Sequence, residues 1–313
     1  MKNTLVITHS ADRTVDYLIA RHRDRVNWHR LNVDKLPEYQ ISVTAAGIRV
    51  EHDDFVLSNE EIFSVMYRKI VFPNLSEYHP SFLPLCQKDI LSFVEGLAES
   101  LGQVCLARPS ILKRAENKLV QLQEARAEGF IVPQTLLTNS STQATAFIHN
   151  QKAVIKPLSS GVVKDKHVNG IIQTNVATRP IEDIGCEPSY LQEYKEKDGG
   201  EYRVTFMGDW HVAVKITSSN PVDWRKKTAR NHYEVADLPP SLIDKCQRFM
   251  KRLGIPFGAF DFIRSGDKFY FLEVNPNGQW LWLEEELNLS ISEQIVQFLQ
   301  KGDTSYADRA GTS

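Results

Sequence analysis

Hydrophobic and polar positions in the first third of the chain follow the order of a strand-helix-strand unit. TLVITHS predicts a short buried strand, ADRTVDYLIARHR places Val15, Leu18 and Ile19 at helical spacing, and VNWHRLNVD predicts a second strand. This order predicts two parallel strands joined by a right-handed crossover. Two hairpin-like segments are expected next, at 39–54 and 61–73.

The middle of the chain alternates between helical and extended patterns. A helix is expected from Pro84 to about Leu101, and another over 108–129, where Gly129 is suited to a helix C-terminus. One face of the second helix is predicted to carry Leu119, Leu122 and Ala125. Further on, FIVPQTLLTNS predicts a strand, STQATAFIHN a helix and KAVIKPLSSG a strand.

Two lysines lie on these regular elements. Lys118 alone would be interpreted as a solvated helix residue. Lys156 lies inside the apolar strand AVIKPL, where a charge needs a partner that offsets its loss of solvation. The following hairpin, EYRVTFMGDWHVAVKI, places Glu201 and Arg203 on one face of a strand, because residues two apart share a face. They could form an ion pair or, beside a nucleotide, hold a ribose and a phosphate.

Oxygen ligands converge on the last predicted hairpin, GAFDFIRSGDKFYFLEVNPNG. A three-residue turn at 266–268 would set Asp261 opposite Glu273, and Asn275 would share their face; an even-length turn would break this register. Such a set suits Mg²⁺, which takes oxygen ligands. The alternative is that both carboxylates are exposed residues of an edge strand.

Composition limits the classes of function. The 313 residues are 42% hydrophobic and 24% charged, which is typical of a globular protein of two or three domains. A net charge of −2 gives no basic field for nucleic acid or for a membrane surface, and we expect neither partner. We find no signal peptide, membrane span, GxGxxG or GxxxxGK[ST] pattern, and expect a cytoplasmic protein. Four well-separated cysteines predict reduced thiols rather than zinc: Cys86, Cys105, Cys186 and Cys246.

Several of these segments together resemble the ATP-grasp ligases. They are Lys118, VIKP at 154–157, LQEY at 191–194, GEYRV at 200–204, and the spaced Asp261, Glu273 and Asn275. Within that superfamily, AENKLVQLQEARAEGFIVPQTLLTN and EVNPNGQWLWLE resemble the microviridin-type (graspetide) ligases, which crosslink ribosomally made precursor peptides.

The resemblance implies a fold and a division into domains. The expected fold class is α/β (α+β), an ATP-grasp fold preceded by a smaller α/β domain. The implied domains are 1–107 in front, 108–190 as the central subdomain, 191–302 as the C-terminal subdomain with the metal site, and 303–313 as a flexible tail.

The resemblance also implies roles for individual residues. Lys118 and Lys156 would contact the phosphates of ATP, Glu201 would hold the ribose and Arg203 would steady a phosphate; Arg203 and Lys156 would be the catalytic pair. The main chain of Gln192, Glu193 and Tyr194 would form the adenine hinge. The Mg²⁺ ligands would be Asp261, Glu273 and Asn275, and the loop from Ser159 to Asn169 would act as a lid.

The implied reaction is the joining of a carboxylate to an amine or hydroxyl. ATP would convert an Asp or Glu side chain of a precursor peptide, held through a leader segment, into an acyl phosphate, and ADP would be released. Both ester and amide products are compatible with this chemistry, and a homodimer is a possible assembly. Two alternatives are a ligase that uses free amino acids or dipeptides or adds amino acids to a protein, and a non-catalytic nucleotide-binding protein that recognises a peptide. The basic segment 223–232 could face phosphate or an acidic core peptide, or could be a solvated loop.

Overall fold

The computed structural model describes residues 1–159, 161–164, 169–177, 186–226 and 228–302. The tail predicted at 303–313 lies outside the described residues, as do residues 160 and 165–168 of the predicted lid. No described helix is long and apolar enough to cross a membrane.

The N-terminal third folds around a four-stranded sheet with the order β2-β1-β6-β7. Strand β1 pairs in parallel with β2 and with β6, so the predicted parallel strand-helix-strand unit is confirmed. A separate three-stranded antiparallel sheet, β3-β4-β5, follows the unit. The elements are β1 Asn3–Thr8, α1 Arg13–His22, β2 Asn27–Asn32, β3 Gln40–Thr44, β4 Gly47–His52, β5 Phe55–Ser58, β6 Ile62–Tyr67, α2 Leu83–Ser100 and β7 Val104–Cys105, with 3-10 helices at Val33–Glu38 and Pro80–Phe82.

The hairpin expected at 61–73 is wrong. Only β6 forms there, as a single strand between β1 and β7, and the chain after Tyr67 leaves the sheet. Five of the six residues of β6 are buried, because both faces of this parallel sheet are covered. The apolar run therefore belonged to one fully buried strand rather than to two alternating ones.

The centre of the chain, where it is described, contains two sheets and three helices. The antiparallel sheet has the order β12-β9-β13-β8, and β10 pairs with β11 as a separate two-stranded ribbon. The elements are α3 Pro109–Ala115, α4 Lys118–Ala127, β8 Thr135–Thr138, α5 Ser141–Asn150, β9 Ala153–Lys156, β10 Val162–Lys164, β11 Asn169–Ile171, β12 Asn175–Ala177 and β13 Ser189–Glu193.

The single helix expected over 108–129 is in fact two. The chain breaks before α4, where the side chain of Asn117 accepts hydrogen bonds from the main-chain N–H groups of the first turn and caps the new helix. The buried face also differs from the predicted one: Ala125 is buried as expected, but Leu119 is 51% exposed and Gln121 is buried.

The C-terminal part is built on a five-stranded antiparallel sheet with the order β16-β15-β14-β17-β18. Helix α6 covers one face, where a phenylalanine-rich core includes Phe249, Phe260 and Phe271. Helix α8 packs against the N-terminal third. The elements are β14 Glu201–Met207, β15 Trp210–Ser218, β16 Asn231–Val235, α6 Pro240–Leu253, β17 Phe257–Ser265, β18 Lys268–Asn275, α7 Leu281–Leu287 and α8 Ile291–Lys301.

Two of the predicted domain limits cut across packed units. Strand β13 runs through the limit between residues 190 and 191, and it pairs with β8 and β9 as far as Glu193. Helices α3 and α4 were assigned to the central subdomain, but Ala115 and Ala125 pack into the core of the five-stranded sheet. As a result, α4 lies against β18, which carries two of the three predicted metal ligands, Glu273 and Asn275.

Candidate functional site

The register of β17 and β18 sets Asp261 opposite Glu273, as the sequence predicts, but the turn is shorter than expected. Ser265 pairs with Lys268, which leaves a two-residue turn. A β-bulge follows: Phe262 pairs with Phe271 and Asp261 pairs with Glu273, so one extra residue is inserted in β18. The bulge takes up the residue that the turn lacks, and the two carboxylates still face each other.

The three predicted metal ligands lie together at the end of this hairpin. The amide nitrogen of Asn275 donates to Asp261 Oδ2 at 3.1 Å and to Glu273 Oε1 at 3.2 Å. The side chains of Asp261 and Glu273 are 18% and 23% exposed, so the cluster is neither fully buried nor on the open surface. Two carboxylates and an amide, all able to offer hard oxygen atoms at one point, fit Mg²⁺. Among the described residues no group of three or more His, Cys, Asp or Glu is placed to hold a metal ion, so Asn275 is needed to complete this set.

Two cations pair with these carboxylates. Arg203 donates from Nη1 to both carboxylate oxygens of Asp261, at 2.8 and 2.7 Å, and Lys118 forms an ion pair with Glu273. Burial alone would raise the pKa of the Glu273 carboxyl group. The positive charges of Lys118 and then Lys156 outweigh this effect and hold its pKa below the ordinary value. Burial raises the pKa of Asp261 against the opposing effect of Arg203.

Lys156 has no carboxylate partner in the part of the chain that the structure describes. Its Nζ donates to the side-chain oxygen of Gln192 at 2.7 Å. Burial lowers the pKa of Lys156 to about 8, while the charges of Glu273 and Lys118 act in opposite directions. The sequence predicted that Lys156, inside an apolar strand, needs a partner for its charge. That partner is the neutral amide of Gln192, so the positive charge of Lys156 has no directly contacting negative charge among the described residues.

Glu201 and Arg203 lie two residues apart on β14 but do not pair with each other. The carboxylate of Glu201 accepts from Lys197 Nζ at 2.5 Å, and Lys197 also donates to the main-chain oxygen of Val222 at 2.9 Å. Burial raises the pKa of Glu201, with Lys197 opposing the shift. A ribose held by Glu201 would share this carboxylate with Lys197.

The predicted hinge, Gln192 to Tyr194, lies at the end of β13. The N–H of Glu193 donates to the main-chain oxygen of Gln134 at 2.8 Å, and the N–H of Tyr194 to that of Lys152 at 2.9 Å. These two donors are therefore occupied by the sheet, and an adenine ring would depend on the neighbouring main-chain groups.

Arg225 lies in the basic segment 223–232, and the sequence did not single it out. Its Nε and Nη2 donate to the buried carboxylate of Asp223 at 2.9 and 2.8 Å. Burial would lower the pKa of Arg225, but Asp223 and then Asp261 and Glu273 raise it, so its charge acts on the proposed metal ligands. The feature of the sequence that could have pointed to Arg225 is the large apolar residue Trp224, which stands between the charged residues Asp223 and Arg225.

Aromatic contacts hold this loop in place. The ring of Trp224 lies 5.0 Å from that of Trp282 on α7, and Tyr233 lies 5.1 Å from the same ring, centroid to centroid. Trp224 is thereby packed against α7, and the predicted role of 223–232 beside phosphate or an acidic core peptide stays a prediction. The segment from 161 to 171 forms the β10-β11 ribbon where it is described, and its predicted role as a lid stays a prediction.

Comparisons with known proteins identify chains of similar fold. No protein-family model matches the chain. A RiPP-associated ATP-grasp ligase from Chryseobacterium gregarium, solved with ADP and a leader and core peptide, is 26% identical, with a TM-score of 0.85 over 98% of each chain. The macrocyclase MdnB from Microcystis aeruginosa is 28% identical, with a TM-score of 0.80 over 96% of this chain and 100% of that one.

A curated relative is also named as a ligase. The probable alpha-L-glutamate ligase 2 of Hahella chejuensis is 25% identical over 197 residues, which are 61% of this chain. The match spans 64% of the length of that relative. The predicted fold class and the predicted resemblance are confirmed by these similarities. The chain has the fold of the ATP-grasp ligases and resembles, among them, the microviridin-type peptide macrocyclases.

Proposed function

We propose that this protein is an ADP-forming ligase that uses ATP and Mg²⁺ to crosslink side chains within a ribosomal precursor peptide. The similar ligase from Chryseobacterium gregarium was solved with ADP and with a leader and core peptide, which supports this class of substrate. The observation that carries the proposal is the charge arrangement on the face of β14, β17 and β18. Oxygen ligands and cations alternate there within hydrogen-bond distance.

Each charged group has a distinct task in the proposed reaction. Asp261, Glu273 and Asn275 would hold Mg²⁺, which when bound neutralises phosphate oxygens and orients them for transfer. Lys156 is the cation best suited to a phosphate, because its present partner, Gln192, is neutral. It would stabilise the negative charge on the transferred group.

Arg225 would hold the substrate carboxylate. Its side chain is 50% exposed, yet the bidentate contact with Asp223 fixes the orientation of the guanidinium. A carboxylate oxygen of the peptide attacks the γ-phosphorus, the bond to ADP breaks, and an acyl phosphate forms. A hydroxyl or amine of the same peptide then attacks the acyl carbon, loses its proton, and expels phosphate. The net change is ATP plus two side chains to ADP, phosphate and one ester or amide.

A second candidate uses the same nucleotide site with a different acceptor. The similarity to a probable alpha-L-glutamate ligase favours the addition of amino acids to a protein or peptide end. The two candidates differ in the product, since the first removes water from one peptide and the second adds a residue.

The test is an incubation of the purified protein with ATP, Mg²⁺ and a short peptide, rich in Thr, Ser or Lys and Asp or Glu, encoded beside its gene. We expect the peptide to lose one water per bond and ADP to form in the same amount; alkali would then hydrolyse esters and leave amides. The matched control is Glu234→Gln, which changes an exposed carboxylate on β16, whereas Glu273→Gln should abolish the reaction. Formation of AMP, or addition of free glutamate with the peptide left unchanged, would contradict the proposal.

A further inference from the structure

Gln121 is a buried polar residue whose hydrogen bonds all go to the main chain. It lies in α4 and is 1% exposed. Its side-chain oxygen accepts from the N–H of Val274 at 3.1 Å, and its amide nitrogen donates to the carbonyl of Val274 at 2.9 Å. The same nitrogen donates to the carbonyl of Ala115, the last residue of α3, at 2.7 Å.

These bonds close the outer edge of the five-stranded sheet at Val274. Strand β18 is the last strand of the sheet; Ile131 pairs with its outer edge at Tyr270 and Phe271, but no described strand lies beside Val274 on that side. Buried main-chain groups without partners are costly, and Gln121 satisfies both groups of Val274 with one side chain. Val274 lies between Glu273 and Asn275, so the amide acts at the point where the proposed metal ligands leave the strand.

The same face of α4 also carries Lys118. Residues three apart on a helix are neighbours, so Lys118 and Gln121 approach β18 side by side. Lys118 pairs with the side chain of Glu273 and Gln121 pairs with the main chain of the next residue. The spacing between α4 and β18 is therefore fixed by the amide.

We infer that Gln121 is a positioning residue, which sets Lys118 and the pair Glu273 and Asn275 in the geometry that binds Mg²⁺ and nucleotide. The inference rests on the proposed function of that site. Only an amide of this length meets the requirement: Asn is too short, and an ionised Glu cannot donate to the carbonyls of Val274 and Ala115.

The experiment measures ADP binding by calorimetry at a series of Mg²⁺ concentrations. Gln121→Met keeps the length of the side chain and removes its hydrogen bonds. The metal ligands should then be less well aligned, and we expect the Mg²⁺ concentration for half-maximal ADP binding to rise about tenfold. The matched control is Gln123→Met, an exposed position on the same helix, which should leave this concentration unchanged.

A merely structural role gives a different result. It would lower the fraction of folded protein and the binding stoichiometry, and leave the half-maximal Mg²⁺ concentration of the folded molecules as in the wild type. If Gln121→Met does not fold, Gln121→Glu takes its place, since it keeps the volume and the acceptor for Val274. An unchanged Mg²⁺ requirement in the folded variant would overturn the inference. Absence of Mg²⁺-dependent ADP binding by the wild type would instead overturn the proposed function.

Discussion

If Lys156 contacts a phosphate of the nucleotide, as we propose, nucleotide binding should depend on pH by an amount that can be calculated. Its pKa of about 8 means that about nine tenths of the molecules carry the charge at pH 7 and about one tenth at pH 9. If phosphate binds only the charged form, the Kd for ADP with Mg²⁺ should rise about tenfold between these pH values. Bound phosphate would also raise the pKa of the lysine, so binding at pH 9 should take up about one proton.

The assay is calorimetry of ADP binding in two buffers that differ in their enthalpy of ionisation. The difference in observed heat gives the number of protons taken up. Lys156→Met should bind weakly with no proton uptake above pH 8, whereas Lys118→Met should retain the uptake, because Lys118 is already paired with Glu273. Proton uptake that persists in Lys156→Met, or that is absent in the wild type, would refute the reasoning.

Lys156 also makes the free energy of unfolding depend on pH, with a sign opposite to that of a lysine whose pKa is raised by an ion pair. Its pKa is lowered in the folded protein, so between pH 8 and 10.5 the unfolded chain binds more protons. The contribution of Lys156 to the free energy of unfolding should therefore rise with pH in this range. Urea unfolding of the wild type and of Lys156→Met across the range would isolate it.

Three further changes test other parts of the structure. Asn275→Ala should abolish turnover and leave the thermal unfolding temperature nearly unchanged, because it removes a ligand at the half-exposed end of a strand; turnover at the wild-type rate with saturating Mg²⁺ would show that the metal assignment is wrong. Gly278→Ala would bring a Cβ within 3.1 Å of Arg203 Nη2 and should reduce ADP binding, whereas the control Gly96→Ala, which meets nothing within 4 Å in α2, should stabilise the protein by up to about 1 kcal/mol. Asp12→Asn should lower the free energy of unfolding by about 3–5 kcal/mol in urea, because it leaves the buried Arg68 without its ion pair; a loss below 1 kcal/mol would contradict this.

Local pattern predicted the elements well where one face of an element was apolar. The parallel unit of β1, α1 and β2 and the hairpin of β17 and β18 were both predicted from hydrophobic spacing. The pairing of Asp261 with Glu273 was predicted for the wrong reason. Turn length alone would have separated them, and a bulge, which leaves no clear mark in the sequence, restored the register.

Hydrophobic spacing could not predict the polar residues that hold the site. Gln121 was overlooked because a periodicity argument counts apolar positions, and its burial depends on main-chain groups of β18 that are 153 residues away. Arg225 was overlooked for a related reason. Its orientation comes from Asp223 nearby, but its proposed role depends on Asp261 and Glu273, which lie far from it in the sequence on β17 and β18.

The charges of the site explain why metal and nucleotide should bind together. Lys118 and Arg203 now contact the carboxylates of Glu273 and Asp261, which are the groups that Mg²⁺ would need. If these carboxylates turn to a metal ion, both cations lose their partners inside a half-buried cluster, where unpaired charge is costly. Phosphate oxygens are the partners that would satisfy them. Each ligand thereby removes the cost that the other creates, and by linkage the affinity for either should increase when the other is present.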